Sequence, residues 1–425
     1  MSVTLAGQID IAGPVGRLLH RRPLKNGTVM QSFGIEPVSG DIFVLQVAEG
    51  GLTLSGESGP VSGDDRRIHG DMCVTRLNRS GTITGHMYLR GFGHGVSLGV
   101  ENRGGVIRLW TETKSKETLV NNKVDGIGTT VTDFTFQSGT VLDYGSSLHS
   151  TPYTPQAGAT SVTPAIDRST NELVIRFAVD GVRYYERYDL AQAAAGVFQA
   201  RQRLAEPTGV MGTFQAYASH SGVLYLLDGE SYDKVAPPGN TCITAVEWAT
   251  GNVLDRQPVT AAPGLEWREP EGMAVEVAGG VAYLHFGFAG DAGGARTCTI
   301  SSFSGTPEVD GVKVLTDWQT IPLVSGVTVD QNAPKGRLIS VSGVTTLQLS
   351  GGIKGSFDAD AVIGTLPDTL SPSMETRCSV PRNNVGGYCV ARVEAGTDRQ
   401  LRLFGGNSTN VITWAQLDSF SAVWR

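Results

Sequence analysis

The sequence predicts an all-β protein: a five-bladed β-propeller followed by a C-terminal β-sandwich or jelly-roll domain. Three observations carry the prediction. A strand–turn–strand segment recurs five times with a small residue at the same place in each copy. Gly accounts for 55 of 425 residues, nearly twice the usual share of about 7%. After residue 305 the recurrence stops and short apolar runs follow, separated by Gly, Ser, Asn and Pro. The domains expected are 1–26 as an N-terminal attachment segment, 27–305 as the propeller and 306–425 as the sandwich.

Residues 1–26 begin without a basic start or a long apolar stretch, so they do not read as a secretory signal. The first repeat is Ser32 to Glu36, a turn at Pro37 to Gly40 and the strand Ile42 to Leu45. The second is Ser97 to Glu101, with the strand Val106 to Trp110. The third is Thr163 to Asp167, with Leu173 to Phe177. The fourth and weakest is Ala216 to His220, with Val223 to Leu227. The fifth is Gly272 to Glu276, with Val281 to His285. Two β-rich runs around a short polar turn read as a hairpin. The small residue falls at 34, 99, 165, 218 and 274. Radial four-stranded blades explain it, because innermost strands crowd the axis and only Gly or Ala lets their backbones approach. Residues 190–204 are Ala-rich and read as the one helical insert. In the last 120 residues, runs such as Thr346 to Ser350, Ala361 to Asp368 and Val411 to Trp414 are spaced as sandwich strands. Cys378 and Cys389 flank a turn at Asn383 to Gly387, where a hairpin would let them face each other.

A formal net charge of −7 and the absence of a long basic run argue against a nucleic-acid footprint. No run approaches the 18 apolar residues of a membrane span, so no membrane insertion is expected. Five Cys without a Cys-x-x-Cys pair imply neither a zinc site nor a disulfide framework, and no cofactor or metal is expected.

Met30 to Glu36, Gly70 to Leu77 and His86 to Val96 resemble a phage and prophage family whose members are labelled teichoic acid biosynthesis protein C-like or phage baseplate and tail proteins. That family is similar to the five-bladed platform of receptor-binding proteins on phages of Gram-positive bacteria. The resemblance spans roughly residues 25–305, and Gly364 to Pro372 looks like the terminal β-domains of phage tail fibres. It implies a tail receptor-binding protein or fibre that binds a host cell-surface polysaccharide or teichoic-acid-like polymer. It also implies contacts with other tail or baseplate proteins, a homotrimer, synthesis in the bacterial host cytoplasm and residence in the virion tail. The long helical stem of some such proteins is missing from the chain, so attachment differs or uses a partner. The resemblance assigns no ligand residues.

Two rival readings stand beside it: a glycan-cleaving tail enzyme, and a purely structural tail component. Glycoside hydrolysis needs a protonated acid and an ionised partner about 5–10 Å apart. Glu36, Glu101, Asp167 and Glu276, with His220 in the fourth copy, occupy one repeated place. An active site breaks the symmetry of a repeat, so near-uniform placement favours carboxylates that cap hairpin turns. No enzyme and no catalytic residue is therefore expected. The ligand-binding candidates are His94, flanked by two glycines next to an inner strand, and Trp267 with Arg268, a ring and a donor before the fifth inner strand. Trp267 reads more readily as a plug between blades than as a platform for a sugar.

Overall fold

The computed structural model describes residues 7–120, 122–147, 149–291, 296–304 and 313–424 apart from 342–343. The chain divides into two compact units, 1–307 and 308–425.

The first unit is a five-bladed propeller. Blade one runs outward through Met30–Ile35, Ile42–Val47, Met72–Leu77 and Ile83–Arg90, with Val141–Asp143 added in parallel at its edge. Blade two has three strands, Gly99–Arg103, Val106–Val120 and Lys123–Thr135. Its outer edge is covered by bridges from Phe134 to His149 and from Val131 to Tyr153. Blade three is Thr160–Asp167, Glu172–Val179, Val182–Asp189 and Gln202–Ala205. Blade four is Phe214–His220, Val223–Asp228, Cys242–Glu247 and Val253–Pro258. Blade five is Glu269–Ala278, Val281–Gly290 and Thr297–Ser304, completed by Val15–Pro23. Each innermost strand neighbours the next, and the fifth meets the first, so the ring is closed.

These strands are apolar on both faces because each blade is covered on both sides by its neighbours. Every seam between blades holds its own apolar cluster. Phe43, Leu45 and Met87 meet Leu109 and Phe134 between blades one and two. Trp110 and Val131 meet Ile175 and Tyr188 in the next seam. Val174 and Tyr185 meet Tyr217 and Trp248, and Tyr225 and Ile243 meet Leu284 and Phe303. Leu19 and Ile300 meet Phe33 and Val44 where the ring closes.

Two expectations change. Val15–Pro23 lies inside the span 1–26 expected for attachment, yet it pairs antiparallel with Thr297–Ser304 as the outer strand of blade five. Without it that edge would expose unpaired backbone groups, so this stretch closes the ring. The helix expected over 190–204 is only Leu190–Ala194, capped by Asp189. Gln202–Ala205 instead pairs with Tyr184 to Arg187, because a fourth strand for blade three outweighs local helix propensity.

In the second unit, the short strands expected for a sandwich form one ten-stranded sheet. The sheet curls around a single core that includes Leu347, Ile353, Val380, Val393, Leu403 and Ile412. The hairpin of Thr376–Val385 and Tyr388–Ala395 turns at Gly386 and Gly387 as its sequence suggests. Cys378 pairs with Val393 rather than with Cys389, because the register sets the two cysteines at different depths, and both are free thiols.

Candidate functional site

The axis of the propeller differs at its two ends. At one end Gly34, Gly99, Ala165, Ala218 and Ala274 surround it with Val100, Ile166 and Val275, leaving a space of about 20 Å³, room for about one water. At the other end, where the innermost strands begin, the axis opens into a mouth of about 520 Å³. That volume lies within the range of about 300–1,000 Å³ typical of ligand sites. Every blade contributes to it: Gln31, Glu112, Thr163, Gln215 and Glu271 come one from each. The mouth is therefore a funnel, closed below by the crowded small residues.

The extended hairpin of blade two forms one wall, through Val120, Lys123, Asp125 and Ile127. It is braced from the short helix Gly63–His69, where Arg67 donates to Asp125 at 2.5 Å. Glu112, at its base, is buried. Its carboxylate accepts backbone N–H groups from Gly95 and Gly128 at 2.6 Å and from Val96 at 3.3 Å. Burial raises its pKa in spite of these bonds. This carboxylate ties the 93–96 loop to blade two.

His94 is brought to the mouth by that loop. Burial pushes its pKa down, so the ring is neutral at neutral pH, and its Nδ1 has no hydrogen-bond partner within the protein. Arg176 reaches the mouth from the second strand of blade three and is 4% exposed. Its Nε donates to Glu206 at 2.9 Å, and its guanidinium lies 3.6 Å over the Phe214 ring, but Nη2 has no partner. His94 and Arg176 thus both line the mouth, and each also has one nitrogen buried out of reach of solvent without a protein partner. Glu271 is buried beside them, and burial followed by the nearby Glu269 carboxylate holds its pKa well above the usual carboxylate range.

The other two sequence candidates stand outside the mouth lining. The Trp267 Nε1 donates to Glu269 at 2.8 Å, and Arg296 sits 4.2 Å over its ring. Arg268 is fully buried and donates to the carbonyls of Ala261 and Val259 and to Thr241 Oγ1. Its guanidinium is turned into the protein with no exposed surface, so it offers no donor to a sugar outside. Reasoning from sequence missed Arg176, Glu112 and Glu271. The signal available for the first two was a charged residue inside a strand apolar on both faces.

The repeated acids lie at the narrow end of the ring. Glu36 and Asp167 accept N–H groups from their own turns, at Ser39 and at Ser169 with Thr170. Glu101 pairs with Arg103 at 2.8 Å, and Glu276 pairs with Arg79 of blade one at 2.8 Å and accepts from His285 at 3.0 Å. Asn102 donates to Glu36 and Ser219 to Asp167, each from the next blade. These side chains latch turns and blades together. Among the described residues, no cluster of His, Cys, Asp or Glu is arranged to hold a metal ion.

Residues 29–275 match the family model of the phage 5-bladed beta propeller receptor binding platform domain. The chain belongs to that family. This platform protein is 24% identical over 286 residues to the putative major teichoic acid biosynthesis protein C of Bacillus subtilis (strain 168), over 63% of its own length. It spans 57% of the length of that relative. The tail fiber of Staphylococcus aureus phage P68 shares its fold with a TM-score of 0.52 and 13% identity, over 91% of this chain and 94% of that one. The Bombyx mori GH32 beta-fructofuranosidase BmSUC1 aligns over 96% of this chain and 92% of its own, with a TM-score of only 0.39 and 13% identity.

Proposed function

We propose that this platform protein acts in a phage or phage-like tail as a receptor-binding protein, and that the propeller mouth holds a sugar unit of a host cell-wall glycopolymer. The observation that carries this reading is the mouth itself, about 520 Å³ at the propeller axis and lined by polar side chains from every blade, His94 and Arg176 among them. Sugar hydroxyls both donate and accept, so they suit a lining that mixes amide, hydroxyl, carboxyl and imidazole side chains. Assembly as a homotrimer with other tail proteins would multiply weak contacts into strong attachment.

Binding without cleavage is favoured by how the mouth's carboxylates are used. Glu112 spends both oxygens on backbone N–H groups, Asp125 is paired with Arg67, and Glu269 accepts from Trp267. Glu271 then lacks a free carboxylate partner for two-acid hydrolysis.

The test is binding of the fluorescently labelled chain to intact and wall-stripped Gram-positive cells. The reading expects binding to intact cells only, weakened by His94→Ala, and no new reducing ends in purified walls. Equal binding to stripped cells, or none to either, defeats it. Release of reducing ends would instead support an enzyme.

A further inference from the structure

We propose a second carbohydrate site on the flank of blade one: the cleft between residues 57–71 and the Asp143–Tyr144 turn takes the hydroxyls and one apolar face of a neutral hexose. This site is separate from the mouth and does not depend on the reading given above.

The cleft has a volume of about 540 Å³ and is lined by Val61, Asp65, His69, Arg90, Asp143 and Tyr144 above a charged floor. The floor is a chain of alternating charge. Arg66, wholly buried, contacts Asp71 at 2.9 Å and Glu57 at 2.5 Å. Glu57 lies 3.6 Å from Arg90, which donates to Asp143 at 2.5 Å. Asp71 also accepts the Gly91 N–H, and Arg66 donates to the Leu52 carbonyl. Hydrogen bonds from Arg66 hold the Glu57 carboxyl at about 2, so it stays ionised. Groups pinned from several sides are preorganised, which is what a binding site requires of its polar atoms.

Tyr144 supplies the apolar surface. It is 41% exposed although its turn is tightly held, its own N–H donating to the Arg90 carbonyl. The His149 ring lies parallel to it at 6.2 Å, and that ring is fixed by the Gly145 N–H on Nε2 and by the Ser150 carbonyl at Nδ1. An exposed aromatic on a hydrogen-bonded turn beside paired charges suits a sugar, whose C–H face packs on the ring while its hydroxyls reach polar atoms.

Charge selects the class. The cleft carries four carboxylates, Glu57, Asp65, Asp71 and Asp143, against the two guanidinium groups of Arg66 and Arg90. This excess repels phosphate and carboxylate ligands. Each carboxylate already has a donor, Asp65 from Ser62, so none is left bare for a cation. The lone pairs that remain, alternating with Arg90 N–H groups, match vicinal hydroxyls.

The experiment is saturation-transfer NMR on the full chain with glucose, galactose and N-acetylglucosamine, and a phosphate titration as the anionic arm. Saturation of at least one sugar is expected, with affinity falling about tenfold in Tyr144→Ala and in Asp143→Asn. His94→Ala should keep the cleft signal, which separates failure of this site from failure of the mouth. The inference is overturned if no sugar in the panel is saturated, if phosphate competes for the signal, or if folded Tyr144→Ala and Asp143→Asn both bind like the parent. Loss in His94→Ala alone would assign the sugar to the mouth and also overturn it.

Discussion

Gly34 of blade one stands so close to blade two that a Cβ on it would lie 2.5 Å from Val100 Cγ2 and 2.9 Å from the Leu98 carbonyl oxygen. The same repeat position in blade two, Gly99, would put a Cβ 3.0 Å from Ile166 Cγ1. The small residues therefore set how tightly the ring closes on its axis. Gly34→Ala should cost about 1–3 kcal/mol through overpacking. Gly99→Ala should cost less, because its nearest contacts begin at 3.0 Å and are all side-chain atoms, whereas those of Gly34 begin at 2.5 Å and include a backbone oxygen. Guanidinium denaturation of the two variants tests this order, and an unchanged midpoint for Gly34→Ala would contradict it.

Ring closure rests on a non-covalent seam. Leu19, 3% exposed on the Val15–Pro23 strand, packs in the cluster that joins blades five and one. Leu19→Ala should lower stability by about 2–5 kcal/mol, as for other buried leucines. Proteolysis of the variant should begin in blade five, whose outer edge this strand covers. Protection equal to the parent would show that the seam holds without it.

The ring was legible in the sequence because its geometry leaves a mark at one residue per blade. Crowding at the axis demands Gly or Ala, and all five predicted positions line the narrow end. The helix Gly63–His69 left no such mark: seven residues, capped by Ser62 and stopped by Gly70, are too few for an apolar period. Residues 202–205 carried a misleading one, since their local preference was overridden by pairing in blade three. At the site, His94 was legible from its two glycines. Arg176 was not, because its place at the mouth depends on how blades three and four bring it over Phe214. Arg268 looked like a free donor until tertiary packing turned it onto backbone carbonyls.

Glu112 is a structural tie with a functional consequence. Glu112→Ala would strand the Gly95, Val96 and Gly128 N–H groups in a buried place. Leaving a buried donor unsatisfied costs about 1–3 kcal/mol, so a large drop in melting temperature is expected. Glu112→Gln keeps one carbonyl oxygen and should fall between the two. Cell binding should weaken in step, because the loop that carries His94 loses its anchor. A stable Glu112→Ala protein with intact binding would refute the tie.

Glu271 makes the stability of the propeller depend on pH in a direction that can be worked out. Burial, then the Glu269 charge, raise its folded pKa well above the ordinary 4.5. The folded state thus holds this proton more tightly than the unfolded state. Its favourable contribution is complete below about pH 4.5 and is withdrawn as pH rises through the folded value. Glu271→Gln keeps the shape and stays neutral throughout. The melting temperature of the variant minus that of the parent should therefore be small at about pH 5 and should grow positive toward about pH 8. His94 and His285, both lowered by burial, act the other way, removing stability as pH falls below their ordinary 6.5. They and Glu112 are common to both proteins, so they cancel in the difference. A difference that stays flat between the two pH values would mean that Glu271 ionises in the mouth without penalty, and would overturn this account.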